Sequence, residues 1–501
     1  MRETITRKNF YRYFFYLFLL SIPLQTRKVF LTEYSFYTGS FTEYGTIFLY
    51  LSDIILILAF VSLLIFNSDI TKKGLAELKN KSGKITPNKI FNAMLLLLAW
   101  FVISALANRD YPEISLFRLL KSAEMILLAF FIFSTIRDKH FLSSSLFIIA
   151  ISGFLQSILS IYQFVFQHNL FTSPLLHKLT GETILSPALP GIAKIGEGGE
   201  KLIRAYGTLP HPNLLGGFLI FSFFISLFLY LCHKDKLLSR FYFRLNKRGK
   251  RFNRYIASTL WIVLFTSQLL ALTLTFSRSA WIGGVISSTI LIYFLSRYTK
   301  IVSRETIFKD IRNRCKEMTI SALILLSLVI SNFSLFSDRL YQNISIEASS
   351  NSQSTKLPQN NTFADRSFFN IVSRETISQN PLLGSGPGTA VFQIEPYLQN
   401  NSRSDKIESW QYQPPHNLYL LSASELGIPG FLIFIYLIIG SIKQSLKKIV
   451  SRETISSERI FKACILSILS GLLFIGFFDH YLWTLQQGQI VFWASIGLLL
   501  I

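Results

Sequence analysis

Only three cysteines, Cys232, Cys315 and Cys464, occur in the 501 residues, and none forms a C-x-x-C pair. That excludes a disulfide framework and a cysteine metal site. Charged residues are also scarce, 16% against 50% hydrophobic, and the mean hydropathy is +0.41. Such a chain is too apolar for a soluble globular protein of this size and reads as a polytopic membrane protein. No D-x-D and no spaced His/Asp/Glu set offers a metal site, and no glycine-rich phosphate loop faces the expected cytoplasmic side. The first apolar run leads to Ser21-Ile22-Pro23 without a small-x-small cleavage site, so it reads as a span rather than a signal. The net charge of +22 would suit nucleic acid, but the positive-inside rule accounts for it and no nucleic acid is expected.

What is present is apolar sequence in long runs. Twelve runs of about 17 to 25 residues, the length that spans a bilayer, are centred near 17, 56, 99, 125, 154, 222, 266, 288, 327, 428, 471 and 494. The expected fold is all-α, a single integral membrane domain over residues 1–501 with about 12 transmembrane helices. With the N-terminus inside, 34 of the 50 Lys/Arg fall on the cytoplasmic side, including Lys247-Arg248-Gly249-Lys250-Arg251. Both termini are then cytoplasmic. Two outer loops are long, 168–210 and, before helix 10, 337–415. The second contains a Ser/Asn/Gln-rich part, 343–361, expected to be disordered. Phe363 to Gln379 then reads as a short helix, stopped by the turn-rich segment Asn380 to Gly388. Ile-Val-Ser-Arg-Glu-Thr-Ile occurs at 301–307, 371–377 and 449–455. The topology puts two copies inside and one outside, so they build no common site, and their flanks do not repeat as a solenoid would.

Histidines and arginines gather at the outer ends of these runs. His416 follows Pro414-Pro415, which cannot continue a helix, so span 10 is expected to begin near it. Alone, such a histidine reads more simply as a boundary residue. Arg204 lies just outside His211-Pro212-Asn213 at the head of span 6, where Pro212 suits the first turn and Gly216-Gly217 permit close approach. Arg278 is held in the tight turn Thr275 to Trp281. A guanidinium there suits a phosphate because its planar fork bonds bidentately; headgroup contact and snorkelling are the competing readings. Arg118 is expected one turn below the outer surface in span 4, with Lys121 and Glu124 spaced to neutralise each other. Lys121 and Asp53 of span 2 are not taken as site residues. Asp479 and His480, between spans 11 and 12, read first as structural, beside an aromatic belt of Tyr481 and Trp483. Phosphate-binding cations beside a general base suit attack of a hydroxyl on a phosphate-linked carbon, with no cofactor and no metal. A transporter or flippase of lipid-linked sugars is the competing class, but it predicts repeats and mid-membrane binding residues that the sequence does not display.

The order Arg204-x-x-Gly207-x-x-x-His211-Pro212-Asn213, Ser277-Arg278-x-x-Trp281, Asn380-Pro381-Leu382-Leu383-Gly384-x-Gly386-Pro387-Gly388, His416-Asn417 and Glu425-x-Gly427-x-x-Gly430 resembles the O-antigen ligase and O-antigen polymerase superfamily, over roughly residues 110–490. The resemblance implies a GT-C-like, metal-independent, inverting glycosyltransferase of the bacterial plasma (inner) membrane. Its members move an oligosaccharide from undecaprenyl pyrophosphate to an acceptor hydroxyl on the outer face. It implies His416 as general base and Arg204 and Arg278 as pyrophosphate ligands. Arg366, fifteen residues before Pro381, matches the arginine that opens the loop helix. Arg118 is added from its depth, and His211, Asn213, Asn417, Glu425, Asp479 and His480 are further candidates. The implied partners are the lipid-linked glycan, a glycan, lipid or protein acceptor, and the bilayer. Ligase, polymerase and protein O-oligosaccharyltransferase stay open as alternatives.

Overall fold

The long apolar runs form helices at every expected centre. The computed structural model describes residues 7–37, 39–79, 87–136, 138–170, 180–181, 183–186, 192–195, 201–242, 250–301, 316–332, 362–400, 412–450 and 457–501. Among them run α1 (Phe10–Ser21), α2 (Leu51–Lys79), α3 (Pro87–Ala107), α4 (Pro112–Thr135), α5 (Lys139–Phe166), α6 (Pro212–Tyr242), α7 (Lys250–Leu274), α8 (Arg278–Ile301) and α9 (Lys316–Ser331). The segment before the next long helix carries α10 (Thr362–Gln379) and α11 (Ile394–Asn400). Then follow α12 (Leu418–Val450), α13 (Ser457–Ile475), the single turn α14 (Tyr481–Thr484) and α15 (Gln486–Leu500). Seven of these, α2, α3, α5, α6, α7, α8 and α12, are long and apolar enough to cross a membrane. The fold is that of an all-α membrane protein.

Two short antiparallel pairs, which the hydropathy pattern does not announce, join loop ends: β1 (Arg27–Phe30) with β2 (Ile47–Tyr50), and β3 (Lys194–Ile195) with β4 (Leu202–Ile203). The expected disordered part at 343–361, much of the loops 168–210 and 337–415, most of the repeat copies at 301–307 and 449–455, and Cys315 lie outside the described residues. The copy at 371–377 is helical, within α10.

The bundle is organised on α6, whose Pro212–Cys232 part is buried on nearly all sides by α5, α7, α8, α13 and α15. Phe218, Phe221 and Tyr230 fill its contacts, and burying aromatic rings of this size dominates packing energy. Around this centre α12 packs on α3, α15 on α4 and α1 on α2. The heads of α6, α8 and α12 and the turn before α14 meet at one end. Chain segments far apart in sequence thereby share one small volume.

α12 begins at Leu418, two residues later than the Pro-Pro pair suggests. Asn417 supplies the reason: its Oδ1 accepts the N–H of Tyr419 (2.9 Å) and Leu420 (3.0 Å), an N-cap that satisfies two otherwise unpaired donors. His416 stays outside the helix, at a tight bend where Asn417 N–H donates to Pro415 O (2.7 Å).

Candidate active site

Arg204 is buried, not directed at lipid. Its Nε donates to the carbonyl of Thr275 (2.6 Å), and the next amide, Ala205 N–H, donates to Leu274 O (3.1 Å). The 204–205 strand end therefore rests on the turn between α7 and α8, whose first helical residue is Arg278. Arg204 Nη2 also donates to Asn213 Oδ1 (2.9 Å), and Asn213 Nδ2 donates to Asp479 Oδ2 (2.7 Å). The other carboxylate oxygen of Asp479 accepts the N–H of His480 at 2.8 Å. Tyr481, next in the chain, lies so close to α6 that a Cβ on Gly217 would stand 2.2 Å from its hydroxyl. The glycine pair expected to permit close approach does so here.

Three histidines surround that carboxylate. His416 and His480 meet edge to face, ring centroids 5.0 Å apart at 73°. His480 Nδ1 lies 2.7 Å from the Thr484 hydroxyl. His211 Nδ1 accepts the N–H of Asn213 (3.1 Å), which leaves the proton of the neutral ring on Nε2. Burial pushes His416 down to about 3, helped by the charges of His480, Arg366 and His211 and opposed by Asp479. Burial and Arg204 push His211 to about 4, and burial lowers His480 despite Asp479. Burial would raise Asp479, yet His480, His416, His211 and the Asn213 amide pull it down to about 2. At neutral pH the cluster is three neutral imidazoles around one carboxylate. Neutral imidazole is the form that accepts a proton.

Arg366 approaches from α10 and acts through its charge on all three histidines and on Arg278. Its Nε and His416 Nδ1 are buried without a hydrogen-bond partner among the described residues. Arg118 lies on another side. Its Nη1 donates to Thr484 O (2.8 Å), so it steadies the turn that carries His480.

The turn that follows α10, at 381–388, is fixed by a break inside α12. Pro429 has no N–H, and Gly427 takes φ 70°, so two carbonyls one turn earlier lose their helical donors. Ser385 N–H bonds Ser424 O (2.8 Å) and Gly386 N–H bonds Glu425 O (3.0 Å), replacing them. In return Ile428 N–H donates to Pro381 O (2.8 Å). The Glu425 carboxylate accepts Trp483 Nε1 (2.8 Å). Two motifs that look separate in sequence are one docked unit.

A family model described as O-antigen ligase matches residues 261–435. That match supports the O-antigen ligase and polymerase superfamily. No match was found among curated proteins. The stretch that matches the O-antigen ligase family contains Arg278, Arg366, the turn at 381–388, His416, Asn417 and Glu425. Arg118, Arg204, His211, Asn213, Asp479 and His480 lie outside it, and geometry alone joins most of them to His416. Asp479 and His480, which read first as structural, stand beside His416 and His211. Tyr44, whose ring centroid is 6.0 Å from that of His480, and Thr484 were missed. Neither stands in a motif, and the aromatic run around Tyr44 resembles any membrane-boundary loop. Among the described residues no group of three His, Cys, Asp or Glu side chains is arranged to hold a metal ion.

Lys121 and Asp53 stand apart from the cluster. Lys121 Nζ bonds Asp53 Oδ2 and lies 3.2 Å from Glu124 Oε2, and Gln486 Nε2 bonds the other oxygen of Asp53. The neutralisation expected for Lys121 and Glu124 is present, with Asp53 as a third member.

Proposed function

We propose that the chain transfers an oligosaccharide from undecaprenyl pyrophosphate to an acceptor hydroxyl on the outer face of the bacterial plasma (inner) membrane, inverting the anomeric centre and using no metal ion. The observation that carries this reading is the neutral His416 packed on His480 beside ionised Asp479, within charge range of Arg366. The acceptor oxygen attacks the anomeric carbon while the bond from that carbon to the pyrophosphate oxygen breaks. His416 takes the hydroxyl proton, and undecaprenyl pyrophosphate leaves with the bonding electron pair.

Arg204 and Arg278, on one shared turn, and Arg366 receive the negative charge that grows on the leaving group. Guanidinium forks suit phosphate oxygens, and fixed cations in a dry site need no reorganisation during the reaction. Arg118 adds positive charge beside Thr484. A positioned base contributes about 10²- to 10⁴-fold. In the free site burial, together with neighbouring positive charge, holds His416 weakly basic; an arriving pyrophosphate offsets the charge part and raises its basicity. Ligation to a lipid-borne glycan, polymerisation and transfer to protein share this chemistry and differ in the acceptor.

The test is reconstitution of the purified protein with undecaprenyl-pyrophosphate-linked oligosaccharide and lipid, glycan or protein acceptors, with and without EDTA. Transfer is expected to survive EDTA and to be lost in His416→Ala. Full transfer by that variant removes His416 as base, and loss with EDTA removes the metal-free mechanism. Arg278→Lys should lose most activity, because an ammonium does not replace a bidentate fork.

A further inference from the structure

One face of α10 carries polar groups that the reaction above leaves partly unused. Arg366, Asn370, Ser373 and Ile377 recur at helical spacing and share that face. Phe368, Phe369 and Val372 seat the helix by packing with Val391 and Ile394. Ser373 and Thr376 satisfy their hydroxyls on carbonyls one turn back, Phe369 O and Val372 O, both at 2.9 Å. Arg366 Nε and Asn370 Oδ1 differ: both are buried and have no hydrogen-bond partner among the described residues. Buried polar atoms are normally paired, so a donor and an acceptor left unpaired on successive turns of one face point to a ligand that completes both. Tyr44 packs against the apolar cluster that seats α10, and its ring centroid lies 6.0 Å from that of His480, so α10 stands beside the histidine cluster, with Arg366 within charge range of His416, His211 and His480.

The two orphan atoms ask for different chemistry. A guanidinium nitrogen donates and suits a phosphate oxygen. The amide Oδ1 of Asn370 accepts, and fully ionised phosphate oxygens have no proton to give it. A sugar hydroxyl does. Four residues of α-helix rise about 6 Å, so a ligand with its phosphate at Arg366 presents the first attached sugar near Asn370. Building on the glycan-transfer reading, we propose that Asn370 is a sugar-binding residue. Its Oδ1 accepts a hydroxyl of the sugar joined directly to the donor pyrophosphate, which makes α10 the element that distinguishes glycosylated from bare lipid pyrophosphate.

The experiment compares two probes on purified wild type and Asn370→Ala: undecaprenyl pyrophosphate carrying its native oligosaccharide, as donor, and bare undecaprenyl pyrophosphate, as competitive inhibitor. KM for the glycosylated donor should rise about 3- to 10-fold, the worth of one neutral hydrogen bond, while the inhibition constant of the bare lipid stays constant. Asn370→Ser, which keeps a hydroxyl, should fall between, and it carries the test if the alanine variant unfolds. Arg366→Ala should weaken both probes. An unchanged KM in both Asn370 variants overturns the proposal, and so does equal weakening of the two probes. If wild type itself transfers no glycan, the glycan-transfer reading fails and takes this inference with it. Active wild type with unaffected variants overturns the inference alone.

Discussion

Asn213 holds Asp479 through its Nδ2 (2.7 Å) and Arg204 through its Oδ1 (2.9 Å), so one amide ties the Arg204 guanidinium to the carboxylate of the histidine cluster. Asn213→Ala releases both at once. A displacement of about 1 Å costs on the order of 10²-fold in rate, and kcat/KM should fall by about that much in the reconstituted transfer assay. Asn213→Asp keeps an acceptor for Arg204 but sets a second negative charge beside Asp479. That charge stabilises imidazolium, so the acid limb of its pH profile should lie higher than in wild type. Near-wild-type kinetics in both variants would mean the bridge has no part in catalysis.

The pH dependence of transfer should differ between free and donor-bound protein. In the free site burial and neighbouring cations hold His416 down at about 3. The profile of kcat/KM, which reports free protein, should therefore lack a His416 limb above about pH 5. Pyrophosphate brings negative charge among the arginines and raises His416, so kcat, which reports the complex, should acquire an acid limb closer to the ordinary imidazole value. Superimposable limbs in the two profiles would remove the coupling between donor charge and base.

The same histidines make the fold sensitive to mild acid. His416 and His211 fall from 6.5 to about 3 and about 4 on folding. Below pH 6.5 the unfolded chain binds protons that the folded chain refuses, so stability declines as pH drops, by about 1.4 kcal/mol per pH unit for each such group at full effect. Asp479, lowered from 3.8 to about 2, acts with the same sign in a lower range: its stabilisation persists until pH falls below 3.8. Between pH 6.5 and 4 the histidines therefore dominate. Thermal unfolding in detergent should show Tm decreasing over this interval, less steeply in His211→Asn than in wild type. An identical slope in the variant counts against His211 as a contributor.

The helices were legible because apolar runs of membrane-spanning length leave little choice of structure, and α10 because its apolar and charged residues alternate at helical spacing before a Pro/Gly stop. The site was legible where a residue type is forced locally. Gly384, for example, needs φ 66°, and a Cβ there would stand 2.5 Å from the backbone of Glu425; such constraints leave motifs. Asp479, His480 and Tyr44 leave none. Their significance comes from which segments the bundle brings together, and aromatic neighbours made 478–483 look like an interfacial belt. Asn370 stayed hidden for a related reason: an asparagine on an amphipathic helix is ordinary until its unpaired oxygen is seen. Arg118 was legible only as a charge expected one turn below the outer surface; its contact with Thr484 O requires the fold.

Lys121 supplies a prediction about stability that is separable from catalysis. Its ammonium serves Asp53 and Glu124, with the Lys121 and Asp53 side chains 8% and 3% exposed. Asp53 also accepts Gln486 Nε2 and the N–H of Tyr50, so one ion group joins α2, α4 and α15. Lys121→Met removes the cation and leaves two carboxylates facing each other in an apolar bundle. Breaking a buried pair from one side costs about 3–5 kcal/mol, whereas removing both partners costs far less. Lys121→Met should therefore express poorly or unfold well below wild type in detergent, and Lys121→Met with Asp53→Asn should recover much of the loss. The recovered double variant should bind bare undecaprenyl pyrophosphate as wild type does, because neither residue reaches the His416 cluster. Equal Tm values for the single and double variants would show that the three charges are not energetically coupled.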